Sequence, residues 1–226
     1  MSKPRLIVFV GTVGSGKSTH MRLLYSKLKQ RGMNVKMVFL KTGHLFAFLL
    51  VVFLAKMLVS RRRDVFPIRA LIEEKPRLFK RVFRLWLSFD LISVTIKFLV
   101  SIYVPLKLGY TVLVEEYIPA TISDYIYLSK IVNSSLRMNS FVISYLLKLA
   151  SLCGPTQVVF LDAKDDELAL RWKVRESFDE REDYIRMQRT ILLQVSKKLS
   201  CKFLYINAGT KTIKEVHEII INHLLL

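Results

Sequence analysis

A glycine-rich octet close to the start of the chain carries the residues with the clearest chemistry. Its sequence, GTVGSGKS over residues 11–18, satisfies the pattern G-x-x-x-x-G-K-[ST] at every fixed position. In such a loop the glycines let successive backbone N–H groups point at one centre, and the following helix adds the positive end of its dipole. A glycine-rich turn that binds nothing would not require all four fixed positions. We predict that the loop binds the phosphates of ATP through Gly11, Thr12, Val13, Gly14, Ser15, Gly16, Lys17, Ser18 and Thr19.

Two side chains of this octet and one distant carboxylate suit the transfer of a phosphoryl group. Lys17 would neutralise charge on the outer phosphates, and the Ser18 hydroxyl would bind Mg²⁺. Glu115 ends an apolar run of strand length, and ligands of open α/β sheets gather at the carboxyl ends of strands. We therefore predict that Glu115 is the second Mg²⁺ ligand and a catalytic carboxylate that can orient the attacking oxygen, provided that its strand lies beside the first. An exposed acidic pair at a strand end is the alternative interpretation.

A second cationic segment lies late in the chain. Arg171 and Arg175 are four residues apart on a predicted helix, so they lie on one face and can point at one ligand. A charged turn over residues 177–183 follows and leads into another helix. This pattern predicts a lid over residues 171–183 that closes its arginines, including Arg181, over the transferring phosphates. A solvated charged hairpin is the alternative interpretation.

The elements that must position these residues follow an alternating pattern. Apolar runs of strand length, separated by helical patterns, occur at 5–10, 35–40, 111–115, 157–161 and 202–206. Helices are predicted over 17–30, 121–152, 165–176, 179–199 and 211–225, with an apolar helical block between 45 and 108. The sequence therefore predicts a single α/β domain of the P-loop NTPase fold over residues 1–226. Its five-stranded, mainly parallel sheet would have helices on both faces.

The order of these segments resembles the thymidylate kinase family of P-loop nucleoside monophosphate kinases. The resemblance covers about two thirds of the chain, roughly 1–43 and 109–226. It rests on the segments 11–19, 112–117, 160–162, 168–171, 178–183, 203–208 and 213–219. It implies ATP and Mg²⁺ as cofactors. It also implies transfer of the γ-phosphoryl group to a nucleotide-like acceptor, with a lid whose basic residues assist.

The chain departs from this family at the residues that would contact the acceptor. Val13 stands where the family usually has an acid, and Glu116 stands where the family has an arginine that meets the acceptor's phosphate. A carboxylate close to a phosphate dianion is repulsive, which argues against thymidylate, although Lys41 or Arg84 could replace the missing arginine. Deoxynucleoside kinases, whose acceptor carries no phosphate, also use an acid-containing motif at this strand end. Both a nucleotide and a nucleoside acceptor therefore stay open.

The block between residues 45 and 108 has no counterpart in the family. It contains two apolar runs, 45–59 and 91–106, on either side of a basic stretch that includes Arg61, Arg62 and Arg63. As helices these runs would be about 22–24 Å long, which is shorter than a bilayer core of roughly 30 Å and disfavours spanning. A core or homodimer face is the favoured interpretation, and peripheral contact with an anionic membrane is the second.

Composition sets the remaining expectations. The formal net charge of +18 suits polyphosphates, nucleic acid or anionic lipid, but no nucleic-acid-binding motif accompanies it, so nucleic acid is disfavoured. Two cysteines without ligand spacing favour a reduced chain, and no signal peptide precedes the first strand, so we expect a cytoplasmic protein with membrane association left open. A membrane-associated protein that binds ATP without turnover is the rival function.

Overall fold

A five-stranded parallel sheet forms the centre of the protein. The computed structural model describes residues 5–58, 67–134, 136–174 and 182–225. The strands of this sheet lie in the order β2-β3-β1-β4-β5, and every neighbouring pair is parallel. They are β1 (Leu6–Gly11), β2 (Val35–Leu40), β3 (Thr111–Glu116), β4 (Thr156–Asp162) and β5 (Ser200–Asn207). The predicted α/β class with five parallel strands is confirmed.

Helices cover both faces of this sheet. They are α1 (Lys17–Gln30), α2 (Leu45–Leu58), α3 (Pro67–Glu74), α4 (Pro76–Phe98), α5 (Val104–Lys107), α6 (Tyr117–Ile131), α7 (Phe141–Ser151), α8 (Asp165–Val174), α9 (Glu182–Leu199) and α10 (Ile213–Leu225). On one face α1 and α10 pack against the sheet, and on the other α2, α3, α4, α6, α7 and α9 build a larger core. Because both faces are covered, the central strand β1 is buried along its whole length and consists of apolar residues and one glycine.

The prediction of one helix over 121–152 is wrong. Two helices occupy this region, and the first begins at Tyr117, directly after β3. The chain leaves the first helix at Asn133, which adopts a left-handed backbone conformation with φ of 52°, and the second helix begins after Ser140. Asn tolerates this conformation better than most residues because its short polar side chain can bond locally. A polar segment therefore separates α6, which ends at Ile131, from α7, which begins at Phe141.

The helices of the 45–108 block differ from the prediction in length. The second apolar run belongs to a continuous helix, Pro76–Lys107, in which α4 passes through a π-helical turn at Leu99–Tyr103 into α5. Its 32 residues correspond to about 48 Å, so the argument that it is too short to span a bilayer is wrong. Length and composition alone would let this helix cross a membrane, although buried core helices meet the same criteria and a third of its most apolar stretch is buried. The triplet 61–63 lies outside the described residues.

A buried carboxylate, Asp90, connects this long helix to the loop after β2. Its Oδ1 accepts a hydrogen bond from the Gly43 N–H at 2.8 Å, yet burial raises the pKa of Asp90 from 3.8 to about 6. Because one pKa unit corresponds to about 1.4 kcal/mol, ionising Asp90 costs the folded protein up to about 3 kcal/mol. This acid therefore stabilises the fold when it is protonated and loses that contribution as the pH rises from about 4 through about 6.

We expect the variant Asp90→Asn to remove this pH dependence while keeping the bond from Gly43. The free energy of unfolding is measured with urea for the variant and for wild type. The difference, variant minus wild type, should increase by up to about 3 kcal/mol from pH 4 to pH 7. Asp166→Asn, which changes an exposed acid on α8, is the matched control. An equal difference between wild type and Asp90→Asn at both pH values would contradict the assignment.

Candidate functional site

The glycine-rich loop joins β1 to α1 at the carboxyl edge of the sheet. Gly11 has a φ of 144°, and a Cβ atom at this position would overlap the carbonyl oxygen of Leu161 on β4. Only glycine fits there. Gly16 lies directly before α1 in a left-handed conformation with φ of 96°, so the loop turns sharply into the amino end of the helix. The loop backbone thus meets the positive end of the helix dipole, as the sequence predicts.

Lys17 is held beneath this loop. Its Nζ atom donates to the carbonyl oxygens of Gly11 at 3.0 Å and Thr12 at 2.9 Å. It also lies 3.2 Å from Oε1 of Glu116, and both side chains are buried. The ammonium group predicted to bind phosphates is therefore paired with a carboxylate in this structure.

Ser18 and Glu115 meet at the start of α1. The Ser18 Oγ atom donates to Oε1 of Glu115 at 2.6 Å. Strand β3, which carries Glu115, lies directly beside β1, with Phe9 opposite Glu115 in the register. This arrangement meets the condition attached to the prediction.

The same pair suits a magnesium ion. Mg²⁺ prefers oxygen ligands, keeps several waters and is held by one or two protein groups together with substrate phosphates. A hydroxyl and a carboxylate side by side offer that donor set. By this chemistry Ser18 and Glu115 are the candidate ligands for Mg²⁺. Within the described ranges no group of three or more His, Cys, Asp or Glu residues is placed to hold a metal.

The end of β3 carries an unusual backbone. Glu116 and Tyr117 have φ angles of 75° and 66°, a region that costs a non-glycine residue about 1–3 kcal/mol. Successive residues of a regular strand point to opposite faces, yet Glu115 contacts Ser18 and Glu116 contacts Lys17. The positive φ angles at Glu116 and Tyr117 accompany this arrangement, in which both carboxylates contact residues of α1. Tyr117, buried and stacked on Phe98 at 6.3 Å between ring centroids, packs where the turn ends.

Glu116 lies in the candidate site, and sequence reasoning did not predict its contact with Lys17. Its Oε2 atom is buried and has no hydrogen-bond partner among the described residues. Strand alternation would place Glu116 on the face opposite Glu115. The positive φ angle of Glu116 accompanies its contact with Lys17, and no sequence pattern predicts that angle. The two adjacent acids at this strand end were the available signal.

We expect Glu116→Gln to tighten nucleotide binding. If the loop binds a triphosphate, the wild-type carboxylate would compete with it for Lys17 and add a negative charge near the phosphates, which costs more than 1 kcal/mol at such distances. Calorimetric titration with ATP should give a Kd about tenfold lower or better for this variant. Glu218→Gln, which removes an exposed acid of α10, should leave the Kd unchanged. Weaker binding in Glu116→Gln would show that Glu116 assists the nucleotide rather than competes with it.

Arg171 lies over the glycine-rich loop. Its guanidinium donates to the carbonyl oxygens of Gly14 at 3.2 Å and Ala208 at 3.1 Å. It also lines a cleft of about 270 Å³ together with Gly14, Ser15, Gly16, Thr19, His20, Ala208, Lys211, Ile213 and Val216. Arg171 thus joins the glycine-rich loop to the segment after β5. Arg175, Arg181 and most of the predicted lid over 171–183 lie outside the described residues.

A further ionic network supports the loop from the end of β4. Asp162 accepts hydrogen bonds from the Thr12 hydroxyl at 3.2 Å and from Nε of Arg189 at 3.1 Å. Arg189 also contacts Asp165 at 2.7 Å. Sequence reasoning did not identify Arg189, because a single arginine within a helix carries no signal of its partner. Asp162 could have been found as the acid that ends the strand beside β1.

Polar groups also line the side of the site towards β2. Asp124 on α6 accepts hydrogen bonds from the Thr42 hydroxyl and the Tyr184 hydroxyl, both at 2.7 Å. Lys41 lies 3.9 Å from the same carboxylate, and burial raises the pKa of Asp124 above its usual value. Of the two cations predicted to replace the family's arginine, Lys41 is therefore near the site. Arg84 is exposed on the outer side of α4.

Comparisons with known proteins add no family assignment. No protein-family model matches the chain, and no curated protein matches it.

Proposed function

We propose that this chain is an ATP-dependent phosphotransferase with a P-loop NTPase fold. In this proposal it transfers the γ-phosphoryl group of ATP to a nucleotide-like acceptor, in a reaction of the thymidylate kinase type. The observation that carries the proposal is the convergence of three groups at the amino end of α1: the Lys17 ammonium, the Ser18 hydroxyl and the Glu115 carboxylate. Positioned charge of this kind is the main requirement of phosphoryl transfer.

The proposed step uses these groups to offset negative charge. The acceptor oxygen forms a bond to the γ-phosphorus while the bond from that phosphorus to the β,γ-bridging oxygen breaks. ADP leaves with the electron pair, and a hydroxyl acceptor loses its proton to water. Lys17 stabilises charge on the transferring group, and the loop amides hold the triphosphate. Ser18 and Glu115 would hold Mg²⁺, which when bound neutralises charge on the phosphate oxygens.

The cleft beside Arg171 supports the placement of the nucleotide's base in this proposal. It is next to the glycine-rich loop, between α1 and the segment that precedes α10. Its apolar lining consists of Ala208, Ile213 and Val216, and polar groups of the loop, of α1, of Arg171 and of Lys211 form the rest. Arg171 reaches both the loop and the Ala208 carbonyl, so nucleotide binding at this cleft would replace contacts that now join the two segments.

A nucleoside is the second candidate acceptor, and the acids near β2 favour it. Glu116 and Asp124 would repel a phosphate dianion, whereas carboxylates accept hydrogen bonds from hydroxyl groups. Lys41, close to Asp124, is the feature that favours an acceptor with a phosphate. The two carboxylates and Lys41 thus favour different acceptors, which the following experiment distinguishes.

An acceptor panel tests the proposal. Purified protein is incubated with Mg-ATP and with each of a set of nucleosides and nucleoside monophosphates, and ADP release is measured. Acceptor-dependent ADP release is the expected result, and the acceptor that supports it distinguishes the nucleotide from the nucleoside reaction. Tight ATP binding without turnover across the panel would contradict the kinase and favour the rival, a membrane-associated ATP-binding protein.

A further inference from the structure

Helix α2 carries an apolar stripe that nothing in the described structure covers. Phe46, Leu49, Phe53 and Met57 follow one another at intervals of three or four residues, so they lie on one face of the helix. Between 49% and 67% of each side chain is exposed. The opposite face is anchored by Ala47 and Val51, which are buried in the core. The helix is therefore apolar on both its buried and its exposed face.

The neighbouring long helix carries a second stripe of the same kind. Helices α2 and α4 pack against each other, and the outer side of Pro76–Lys107 exposes large aliphatic side chains along most of its length. Its exposed members are Leu85, Ile92, Ile96, Leu99, Val100 and Val104. We call the outer faces of α2 and of this helix the apolar surface. Monomeric water-soluble proteins rarely expose large contiguous apolar patches, so exposed apolar side chains on two adjacent helices indicate an interaction surface.

Cations of α4 adjoin the apolar surface, and neither α2 nor α4 exposes a carboxylate. On the adjacent α3, Glu73 is exposed and pairs with Arg69 at 3.1 Å. The first turns of α4 expose Arg77, Lys80, Arg81 and Arg84. Within α2 and α4, both described in full, the one acidic residue is Asp90, which is buried. The partner of this surface must therefore accept apolar side chains and must also carry negative charge beside them.

We propose that the apolar surface docks on an anionic phospholipid bilayer. The exposed Phe, Leu, Ile and Met side chains enter the boundary between headgroups and acyl chains, and the four cations of α4 contact lipid phosphates. Adsorption is the mode, rather than spanning, because Phe79, Trp86 and Phe98 on the inner side of the long helix are buried in the core of the domain. A spanning helix would have to remove them from that core.

A second copy of the chain fits this surface less well. A two-fold interface places the same patch on both partners, so it would bring the cations of α4 close to their own copies. No exposed carboxylate of α2 or α4 is available to offset that repulsion. Anionic lipid supplies the missing charge, and the proposal does not depend on the kinase activity proposed above.

Vesicle sedimentation at low salt tests the proposal. Detergent-free protein is mixed with vesicles of phosphatidylcholine alone or of phosphatidylcholine with phosphatidylglycerol. We expect the protein to sediment with the anionic vesicles and to stay in the supernatant with the neutral ones. The variant Leu49→Glu/Phe53→Glu should lower vesicle affinity at least about tenfold. Phe141→Glu, at an apolar residue of α7 that is 80% exposed, should retain it.

A charge-matched pair of variants separates docking from general attraction of a basic protein to an anionic surface. The docking variant changes four cations of α4 to Gln, at Arg77, Lys80, Arg81 and Arg84. The control changes four exposed lysines elsewhere to Gln, at Lys130, Lys148, Lys198 and Lys214. Because each cation near the surface contributes to binding, the first variant should lose at least about tenfold in affinity and the control far less.

Three results would overturn the proposal. The first is wild-type protein that stays in the supernatant with anionic vesicles at low salt. The second is equal loss of binding in the two quadruple variants, because binding would then follow net charge alone. The third is a stable dimer that Leu49→Glu/Phe53→Glu dissociates while vesicle binding is unchanged, because a second copy would then be the occupant.

Discussion

Replacement of Lys17 by alanine is expected to lower acceptor-dependent ADP release at least about a hundredfold, in line with the loss of one positioned donor to a developing negative charge. The Lys17 ammonium lies within 3.0 Å of two carbonyl oxygens of the glycine-rich loop. A truncated side chain leaves the loop without this charge. Steady-state assays of ADP release, with saturating acceptor, measure the effect. Lys29→Ala, at an exposed lysine of the same helix, is the matched control and should keep full activity.

The fold of this variant needs its own check, because Lys17 and Glu116 form a buried ion pair. Removing one partner of such a pair leaves the other charge buried and destabilises the protein. The double variant Lys17→Ala/Glu116→Gln removes both charges and tests the same role with a smaller cost in stability. Thermal unfolding monitored by circular dichroism compares the two. Near wild-type turnover in a folded variant of either kind would contradict the role assigned to Lys17.

Truncation of Trp86 to alanine should have the largest effect on stability, a loss of about 3–5 kcal/mol in the free energy of unfolding. Trp86 is 1% exposed. Its ring lies 6.1 Å from those of Phe79 and Phe83 and 6.0 Å from that of Tyr125, measured between centroids. The variant would leave a cavity between α4 and α6.

Urea unfolding compares Trp86→Ala with a control one residue away. Leu85 is 49% exposed on the outer side of the same helix, so Leu85→Ala should cost less than about 1 kcal/mol. Trp86→Phe, which keeps an aromatic ring, covers the case in which the alanine variant does not fold. Equal and small losses at positions 85 and 86 would mean that the inner side of α4 is not part of the core.

The sheet could be predicted because its strands are short apolar runs separated by helical patterns. Strands buried on both faces leave this signal directly in the sequence, as β1 and β3 do. Helix ends were harder. The long helix Pro76–Lys107 was missed in its first half because cations on the outer side interrupt the apolar run, while its inner residues Phe79 and Phe83 are buried. The first half of this helix is amphipathic and the second half is apolar, so no single hydrophobic pattern runs through the whole helix.

Part of the candidate site could be anticipated in the same way. The meeting of Ser18 with Glu115 follows from two rules, a helix after the glycine-rich loop and a ligand site at the carboxyl ends of adjacent parallel strands. The ion pair between Lys17 and Glu116 does not follow from these rules, because it depends on a positive φ at a glutamate. The contact of Arg189 with Asp162 depends on the packing of α9, which periodicity alone does not specify.

Crystals of the protein grown with Mg²⁺ and a non-hydrolysable ATP analogue test the central claim most directly. We predict electron density for the triphosphate against the backbone amides of residues 11–19. In that complex the Lys17 Nζ atom should leave Glu116 for the phosphates, and Ser18 and Glu115 should face the metal ion. Density for the nucleotide at another place, or none at a saturating concentration of the analogue, would contradict the account.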